Sequence, residues 1–328
     1  LRDLLSNRSD LFRDGMDSDF WDLQRPFPSK GQLVQEVLSS DLIYAPNEYT
    51  KYSNMGFSVL GLVLENALGM PYQGVAETLI LKKLKDSHFL TDYTDQQKGS
   101  FAHGHSRPFF DQKRLPFKHM PTLALAPATG FCGNAEDTSL FFETLLRGKG
   151  LITQEMQKEL LSLNWRVKNA SQERYGLGLQ FDKFANMEFV GHNGAYPGFS
   201  STTSHALGTK YVISFFLNTN EVLPVRAVWS IFQIFNKVDS TFTPEEAKEA
   251  VTGGPFMNKW RGLMFALTKK KGLGFPLENW APNDEVMVLS SHNGEDYLCD
   301  DLIGYASVGE NFTFEKDKDG TILSAKLG

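Results

Sequence analysis

The chain of 328 residues has few cysteines, no long apolar run and no excess of basic side chains. Its two cysteines, Cys132 and Cys299, lie far apart, so they support neither a disulfide scaffold nor a zinc finger. No uninterrupted apolar run reaches the roughly 18 to 20 residues that span a bilayer. The 33 Lys and Arg residues against 39 Asp and Glu argue against a protein that binds nucleic acid through phosphate contacts. We therefore expect no membrane-spanning segment and no nucleic-acid partner.

The composition is that of a folded protein. Hydrophobic residues make up 41% of the chain and charged residues 22%, which excludes a largely disordered chain. The length fits one large domain or two ordinary ones. The chain begins with Leu1 and not with methionine, so we expect a processed or truncated product. The residues given do not show the basic region, apolar region and cleavage site of a targeting signal. The compartment and the oligomeric state stay unknown from these features.

The first half of the chain has the apolar spacing of helices. Polar residues and three prolines interrupt this pattern over residues 91–129, and a long irregular segment inside a compact domain is usually functional. A further helix follows the strands described next. The predicted helices lie at residues 33–38, 57–68, 73–90, 137–146, 153–163 and 225–235.

After residue 174 the apolar spacing becomes that of strands. Four strands in meander order are predicted at 175–181, 188–190, 200–205 and 211–218. An antiparallel sheet with helices before and after it is an α+β or layered α/β arrangement. We expect a main domain over residues 1–237, a connector over 238–283 and a small β region over 284–328.

The tripeptide Tyr52-Ser53-Asn54 comes directly before the second predicted helix. A phenol and an amide two residues apart at such a junction can face one cleft, and the phenol can relay a proton if a cation lowers its pKa. The alternative is a tyrosine that anchors the loop while Ser53 or Asn54 caps the helix. Taken alone, the pattern favours the cap.

The second motif is Gly191-His192-Asn193-Gly194-Ala195, between two predicted strands. Glycines beside a histidine let a strand edge approach a ligand, and the N–H after Gly194 could point at a developing oxyanion. The alternative is a hairpin with an exposed histidine, and the motif alone does not separate the two.

A metal cluster of His103, His105 and His119 is a weaker hypothesis, because no carboxylate or cysteine stands at a matching ligand spacing.

Three motifs follow one another along the chain: Tyr52-x-Asn54, Tyr175-Gly-Leu-Gly178 and Gly191-His192-x-Gly194. In this order they resemble the serine β-lactamase-like family. That family includes class C β-lactamases, D,D-peptidases, D-aminopeptidases and esterases. Residues 1–6, 102–105 and 127–137 agree with further segments of that family. The resemblance covers about residues 1–235. It implies an antiparallel sheet flanked by helices, with a helical part built largely from residues 30–175. The β region after 284 resembles an appendage of some family esterases and peptidases.

The resemblance also implies roles. Tyr52 would exchange a proton with a serine hydroxyl and with the leaving group. His192 stands where other members carry the lysine of Lys-Thr-Gly, and would orient the substrate or assist Tyr52. Asn54 would hydrogen-bond the substrate amide or the family's lysine, and the Ala195 N–H would form half of an oxyanion hole. The predicted catalytic residues are thus Tyr52 and His192, and the predicted substrate-binding residues are Asn54, Asn193, Gly194 and Ala195.

Two departures from the family pattern matter. The family nucleophile is the serine of Ser-x-x-Lys, which does not occur in the sequence, and Asn7-Arg8-Ser9-Asp10 replaces His-Thr-Ser-Gly. A tyrosine base with no serine to activate cannot form an acyl-enzyme, so we expect the chain alone to be inactive.

The resemblance implies a serine hydrolase that acts through an acyl-enzyme on a β-lactam, a D-amino-acid peptide or an ester. The alternative is a non-catalytic binding or regulatory relative. Neither function needs a cofactor or a metal. Family members mostly work outside the cytoplasm, so the resemblance suggests a periplasmic or extracellular location.

Overall fold

The computed structural model describes most of the chain up to residue 235 and several strands after it. The side chains of the later strands are outside the description. The described residues are 1–84, 87–108, 113–147, 150–167, 174–184, 187–220, 224–235, 255–258, 263–266, 273–276, 286–291, 296–301, 311–316, 318 and 322–327.

Among the described residues, seven α-helices precede the sheet and one follows its last strand. Four of them begin at a side-chain cap, in which Ser29, Ser53, Asn134 or Thr153 accepts a hydrogen bond from a backbone N–H of the first turn. The helix predicted over 73–90 is shorter than expected, because Ile80 leaves helical dihedral angles at φ −121° and ψ −65°. The helices are α1 (Arg2–Leu5), α2 (Lys30–Ser39), α3 (Asn54–Leu68), α4 (Tyr72–Leu79), α5 (Ala126–Thr129), α6 (Ala135–Leu146), α7 (Gln154–Ser162) and α8 (Val225–Phe235).

Six antiparallel strands form one sheet in sequence order. The strand predicted over 175–181 is two strands, because Gly178 adopts φ +78° and the Gly176 N–H donates to the Leu179 carbonyl at 2.8 Å, which closes a turn. The strands are β1 (Asn164–Arg166), β2 (Arg174–Gly176), β3 (Gln180–Phe184), β4 (Met187–Tyr196), β5 (Phe199–Ala206) and β6 (Val212–Leu217).

Helices cover both faces of this sheet. Neighbouring residues of a strand point to opposite faces. In β4, Phe189 packs with Val228 and Phe232 of α8, whereas the next residue, Val190, packs with Phe142 of α6. The predicted class, an antiparallel sheet flanked by helices, is therefore confirmed.

Strands also occur in the segment expected to be a connector. Leu273–Pro276 pairs with Val286–Ser291, so the five-stranded sheet near the end of the chain begins before residue 284. The sequence of a four-residue strand does not show which strand it pairs with, because that pairing is a tertiary contact. The three-part division of the chain otherwise stays a prediction. These strands are β7 (Pro255–Asn258), β8 (Leu263–Ala266), β9 (Leu273–Pro276), β10 (Val286–Ser291), β11 (Asp296–Asp301), β12 (Asn311–Lys316) and β13 (Ile322–Leu327).

None of the helices in the described part of the chain is both long enough and apolar enough to cross a bilayer.

A close contact between α3 and α5 sets the geometry of the helical part. Gly61 of α3 faces the ring of Pro127 of α5, and a Cβ at residue 61 would overlap that ring. Pro127 has few ways to move aside because its ring is closed. Gly31 of α2, by contrast, has no atom near the position of a Cβ.

We expect Gly61→Ala to destabilise the protein by about 1–3 kcal/mol through overpacking, although alanine is the better helix former. The matched control, Gly31→Ala, should instead stabilise by about 0.5–1 kcal/mol, because it gains helix propensity without a clash. Urea unfolding followed by circular dichroism measures both. Equal effects of the two substitutions would contradict this packing.

Candidate functional site

The loop before α3 carries Tyr52 and is held from behind by the start of the chain. Ser53 caps the helix, since its Oγ accepts from the Gly56 N–H at 2.9 Å and donates to the Phe12 carbonyl at 2.6 Å. The Ser53 N–H donates to Asn7 Oδ1 at 3.0 Å. The cap interpretation of this tripeptide is thus right for Ser53, and it leaves the half-buried Tyr52 side chain directed at the sheet.

Asn54 is the first residue of α3 and is 6% exposed. Its Nδ2 donates to Asp14 Oδ1 at 2.6 Å, and Asp14 Oδ2 in turn lies 3.3 Å from Arg13 Nε. The Arg13 guanidinium lies over the Tyr52 ring, 5.8 Å from its centroid. Sequence reasoning missed Arg13 and Asp14. This chain therefore places a cation against the Tyr52 ring and a carboxylate against the Asn54 amide.

His192 lies within β4, opposite Thr203 of β5. Its Nδ1 lies 2.6 Å from the carbonyl oxygen of Asn193, and its Nε2 lies 3.2 Å from the hydroxyl of Tyr175. Burial lowers the pKa of His192, and the bond to the Asn193 carbonyl opposes that change only partly. The imidazole is therefore neutral at pH 7.

Three rings meet at this point. The ring centroids of Tyr52 and His192 are 6.2 Å apart, although one residue precedes α3 and the other lies in the sheet. Tyr175 of β2 packs edge-on against both, with centroid distances of 6.1 Å to Tyr52 and 6.0 Å to His192. Tyr175 is 1% exposed, so it forms the buried base of the group. Its signal in the sequence was the Tyr-Gly-Leu-Gly motif, which carried no predicted role.

Beyond Gly191, the edge of β4 is no longer paired with β3. The Asn193 N–H donates there to Gln180 Oε1 at 3.0 Å, and Asn193 Oδ1 accepts from Thr202 Oγ1 at 2.7 Å. Because N–H directions alternate along an antiparallel strand, the Ala195 N–H points to the same edge as that of Asn193. Ala195 is exposed, and its backbone N–H thus lies three residues beyond His192 along the same strand, β4.

The glycines of this motif serve the packing of the sheet. A Cβ on Gly191 would overlap the Thr203 carbonyl, and one on Gly194 would overlap Ser201 Oγ. Both contacts are with β5. The Gly-His-x-Gly segment was expected either to approach a ligand or to form a hairpin. It lies within strand β4 and not between two strands, because β5 pairs with β4 from Phe189 to Tyr196, and its approach to a ligand stays a prediction.

The three histidines of residues 91–129 do not form a metal centre. His119 Nε2 lies 3.0 Å from the Ala102 carbonyl, and its ring stacks on Tyr93 at 5.3 Å. Within the ranges that the structure describes, no group of three or more His, Cys, Asp or Glu side chains could hold a metal ion.

The segment that departs from His-Thr-Ser-Gly pairs with the loop before Tyr52. The carbonyls of Asn7 and Asp10 accept from the N–H groups of Lys51 and Ile43, at 2.6 and 3.0 Å. Asp10 has φ +61° and is fully buried, and neither carboxylate oxygen has a hydrogen-bond partner among the described residues. Burial raises the pKa of Asp10 to about 6, against nearby cations that lower it.

Comparison with known proteins agrees with this architecture. A protein-family model described as Beta-lactamase matches residues 1–233. A D-stereospecific amidohydrolase from Streptomyces sp. is 21% identical, with a TM-score of 0.56 over 66% of this chain and 67% of that one. The D-amino acid amidase of Ochrobactrum anthropi SV3, solved with L-phenylalanine amide, has a TM-score of 0.61 at 17% identity over 73% of each chain. A penicillin-binding protein from Bacillus halodurans has 0.60 at 18% over 71% of each. No curated protein matches the chain.

The contact between Asn54 and Asp14 predicts a specific charge effect. We expect Asn54→Asp to destabilise the protein at pH 7 by about 1–3 kcal/mol, because two buried carboxylates then face one another. The double variant Asn54→Asp with Asp14→Asn restores an amide–carboxylate pair and should recover most of that loss. Urea unfolding of the wild type, both single variants and the double variant completes the cycle. A double variant no more stable than Asn54→Asp would show that the pair is not in contact.

At Asp10 we expect the opposite effect, a gain in stability when the side chain is replaced. The folded state raises its pKa, so folding favours the protonated form, and ionisation costs stability as the pH rises through about 4 to 6. We expect Asp10→Gly to stabilise the protein at pH 7 by about 1–3 kcal/mol, because it removes a buried carboxylate that accepts no hydrogen bond from the described residues and relieves a positive φ. The gain should be smaller at pH 4. Asp10→Asn separates the two causes, since it removes the charge and keeps a side chain; a loss of stability in both variants at pH 7 would rule out this account.

Proposed function

The chain belongs to the β-lactamase family, and from that membership and the site we propose a serine hydrolase of the β-lactamase, D,D-peptidase or esterase type that acts through an acyl-enzyme. A fold alone does not assign an activity, so the proposal rests on the site. The observation that carries it is the proximity of the Tyr52 phenol ring to the His192 imidazole, whose ring centroids are 6.2 Å apart.

In this proposal Tyr52 is the general base and acid. As a phenolate it takes the proton of an attacking serine hydroxyl, and as a phenol it returns that proton to the leaving group. A tyrosine needs a nearby positive charge for this, because its ordinary pKa is about 10. The Arg13 guanidinium, 5.8 Å from the ring centroid, supports the role.

His192 acts as a neutral polar group. Both of its ring nitrogens lie within hydrogen-bond distance of protein groups, and burial lowers its pKa. A neutral imidazole attracts a substrate carboxylate less strongly than a lysine does. We therefore favour uncharged acyl groups, as in esters, amides and peptides, over penicillins, with the Ala195 N–H as one donor to the developing oxyanion.

The nucleophilic serine is not assigned to any residue of this chain. No Ser-x-x-Lys occurs among the 328 residues, so we propose that these residues bind the substrate but do not acylate. The same observation favours a second candidate, a non-catalytic relative that uses the site for recognition only. The two differ in whether a serine is ever supplied to the site.

The test combines turnover with binding. We expect this chain to release no product from p-nitrophenyl esters or nitrocefin above the buffer rate. In titrations with D- and L-phenylalanine amide, followed by 1H–15N NMR, the amide signals of Asn193 and Ala195 should shift saturably. Tyr52→Phe and His192→Ala should each weaken binding by about tenfold, since about 1.4 kcal/mol of contact is lost. The control Tyr211→Phe, at an exposed tyrosine outside the site, should leave binding unchanged.

The candidates separate in a chain that includes any upstream residues encoded by the gene. Turnover that appears there and is lost in Tyr52→Phe supports the hydrolase, whereas binding without turnover supports the recognition protein. Turnover that survives both Tyr52→Phe and His192→Ala would show that the site is elsewhere.

A further inference from the structure

We propose that Tyr175 is a positioning residue that holds His192 in the tautomer with its proton on Nδ1. The catalytic meaning of this inference rests on the proposed function, but the inference about the tautomer does not. The carbonyl of Asn193 can only accept a hydrogen bond, so the Nδ1 atom 2.6 Å away carries the proton. In a neutral ring the Nε2 atom then presents a lone pair.

The Tyr175 hydroxyl is the group that meets this lone pair. It lies 3.2 Å from His192 Nε2, so it donates and the imidazole accepts. A donor to Nε2 stabilises the neutral ring and opposes protonation at that nitrogen. His192 therefore has no free nitrogen with which to take a proton from Tyr52, and it contributes an oriented ring instead.

Tyr175 is well placed to hold the ring still. It stands at the centre of β2, paired with Trp165 of β1 on one side and with Gln180 of β3 on the other. Gln180 Oε1 accepts from the N–H of Asn193. One cross-strand pair, Tyr175 and Gln180, thus bonds two consecutive residues of β4.

The geometry also links this pair to Tyr52. The Tyr175 ring meets both the Tyr52 and the His192 rings edge-on, at 86° in each case. Within the described part of the chain, two tyrosine rings thus lie beside His192, and the Arg13 cation lies on the Tyr52 ring. A rotation of the imidazole would break its bond to Tyr175 and disturb the surface on which Tyr52 rests.

The experiment is long-range 1H–15N NMR on protein labelled at histidine, which distinguishes protonated from unprotonated ring nitrogens. The signals of residue 192 are assigned from their loss in His192→Gln. In the unmodified chain we expect Nδ1 protonated and Nε2 unprotonated at pH 7. His119 is an internal reference of the opposite kind, because its Nε2 lies 3.0 Å from the Ala102 carbonyl and so carries the proton.

Tyr175→Phe keeps the buried ring and removes only the hydroxyl. We expect the His192 pKa to rise by about one unit, since a hydrogen bond to the neutral form is lost, and the tautomers to mix. The matched control is Tyr93→Phe, which removes a hydroxyl that donates to Asp95 in another aromatic cluster. That control should leave the His192 signals unchanged.

Two results would overturn the inference. One is a His192 protonated on Nε2 in the unmodified chain, which decides the matter even if Tyr175→Phe fails to fold. The other is a folded Tyr175→Phe variant whose His192 tautomer and pKa match those of the unmodified chain. Neither result depends on turnover, so a failure of the proposed hydrolase activity stays separate from a failure of this inference.

Discussion

The contact among the rings of Tyr52, Tyr175 and His192 joins the helical part of this protein to its sheet. Tyr52 comes from the loop before α3, and the other two come from β2 and β4. Tyr175 meets the other two rings edge-on, and aromatic pairs in that geometry contribute about 0.5–1.5 kcal/mol each beyond the area they bury. The same two parts of the chain also meet elsewhere, where the Gly178 N–H donates to the Leu5 carbonyl at 2.9 Å and Tyr196 of β4 packs with Trp21 and Phe27.

The start of the chain keeps the Tyr52 loop in place, and it includes Asn7-Arg8-Ser9-Asp10, one of the two departures from the family pattern. Asn7 accepts from the Ser53 N–H through its side chain and from the Lys51 N–H through its carbonyl. Asp14 meets the Asn54 amide, and Arg13 covers the Tyr52 ring. The buried carboxylate of Asp10 is an energetic cost of this arrangement. The loop is therefore supported by side-chain and backbone hydrogen bonds from residues 7–14.

Much of the fold follows from local patterns. Apolar spacing locates the long helices, and alternation locates β5, β6 and the first part of β4, because both signals depend only on residues close in sequence. The order of the motifs was enough to name Tyr52 and His192 together. Those motifs say what kind of residue stands at a position and nothing about its neighbours in space.

What the sequence could not supply are the contacts across the fold. The pairing of Asn54 with Asp14 and the bond from Tyr175 to His192 join residues from different elements, and no local pattern encodes them. The packing role of Gly191 was not predicted for the same reason, since the atom that excludes a Cβ belongs to Thr203 on the next strand. The turn at Gly178 was missed because alternation continues through a short, tight turn.

The neutral state of His192 connects these details to the proposed chemistry, in which a half-buried imidazole with both nitrogens engaged would orient a substrate without attracting charge. The most direct measurement of the central claim is a nuclear Overhauser experiment between the ring protons of Tyr52 and those of His192. The account predicts a cross-peak that disappears in Tyr52→Leu. A folded protein with both rings assigned and no cross-peak between them would contradict it.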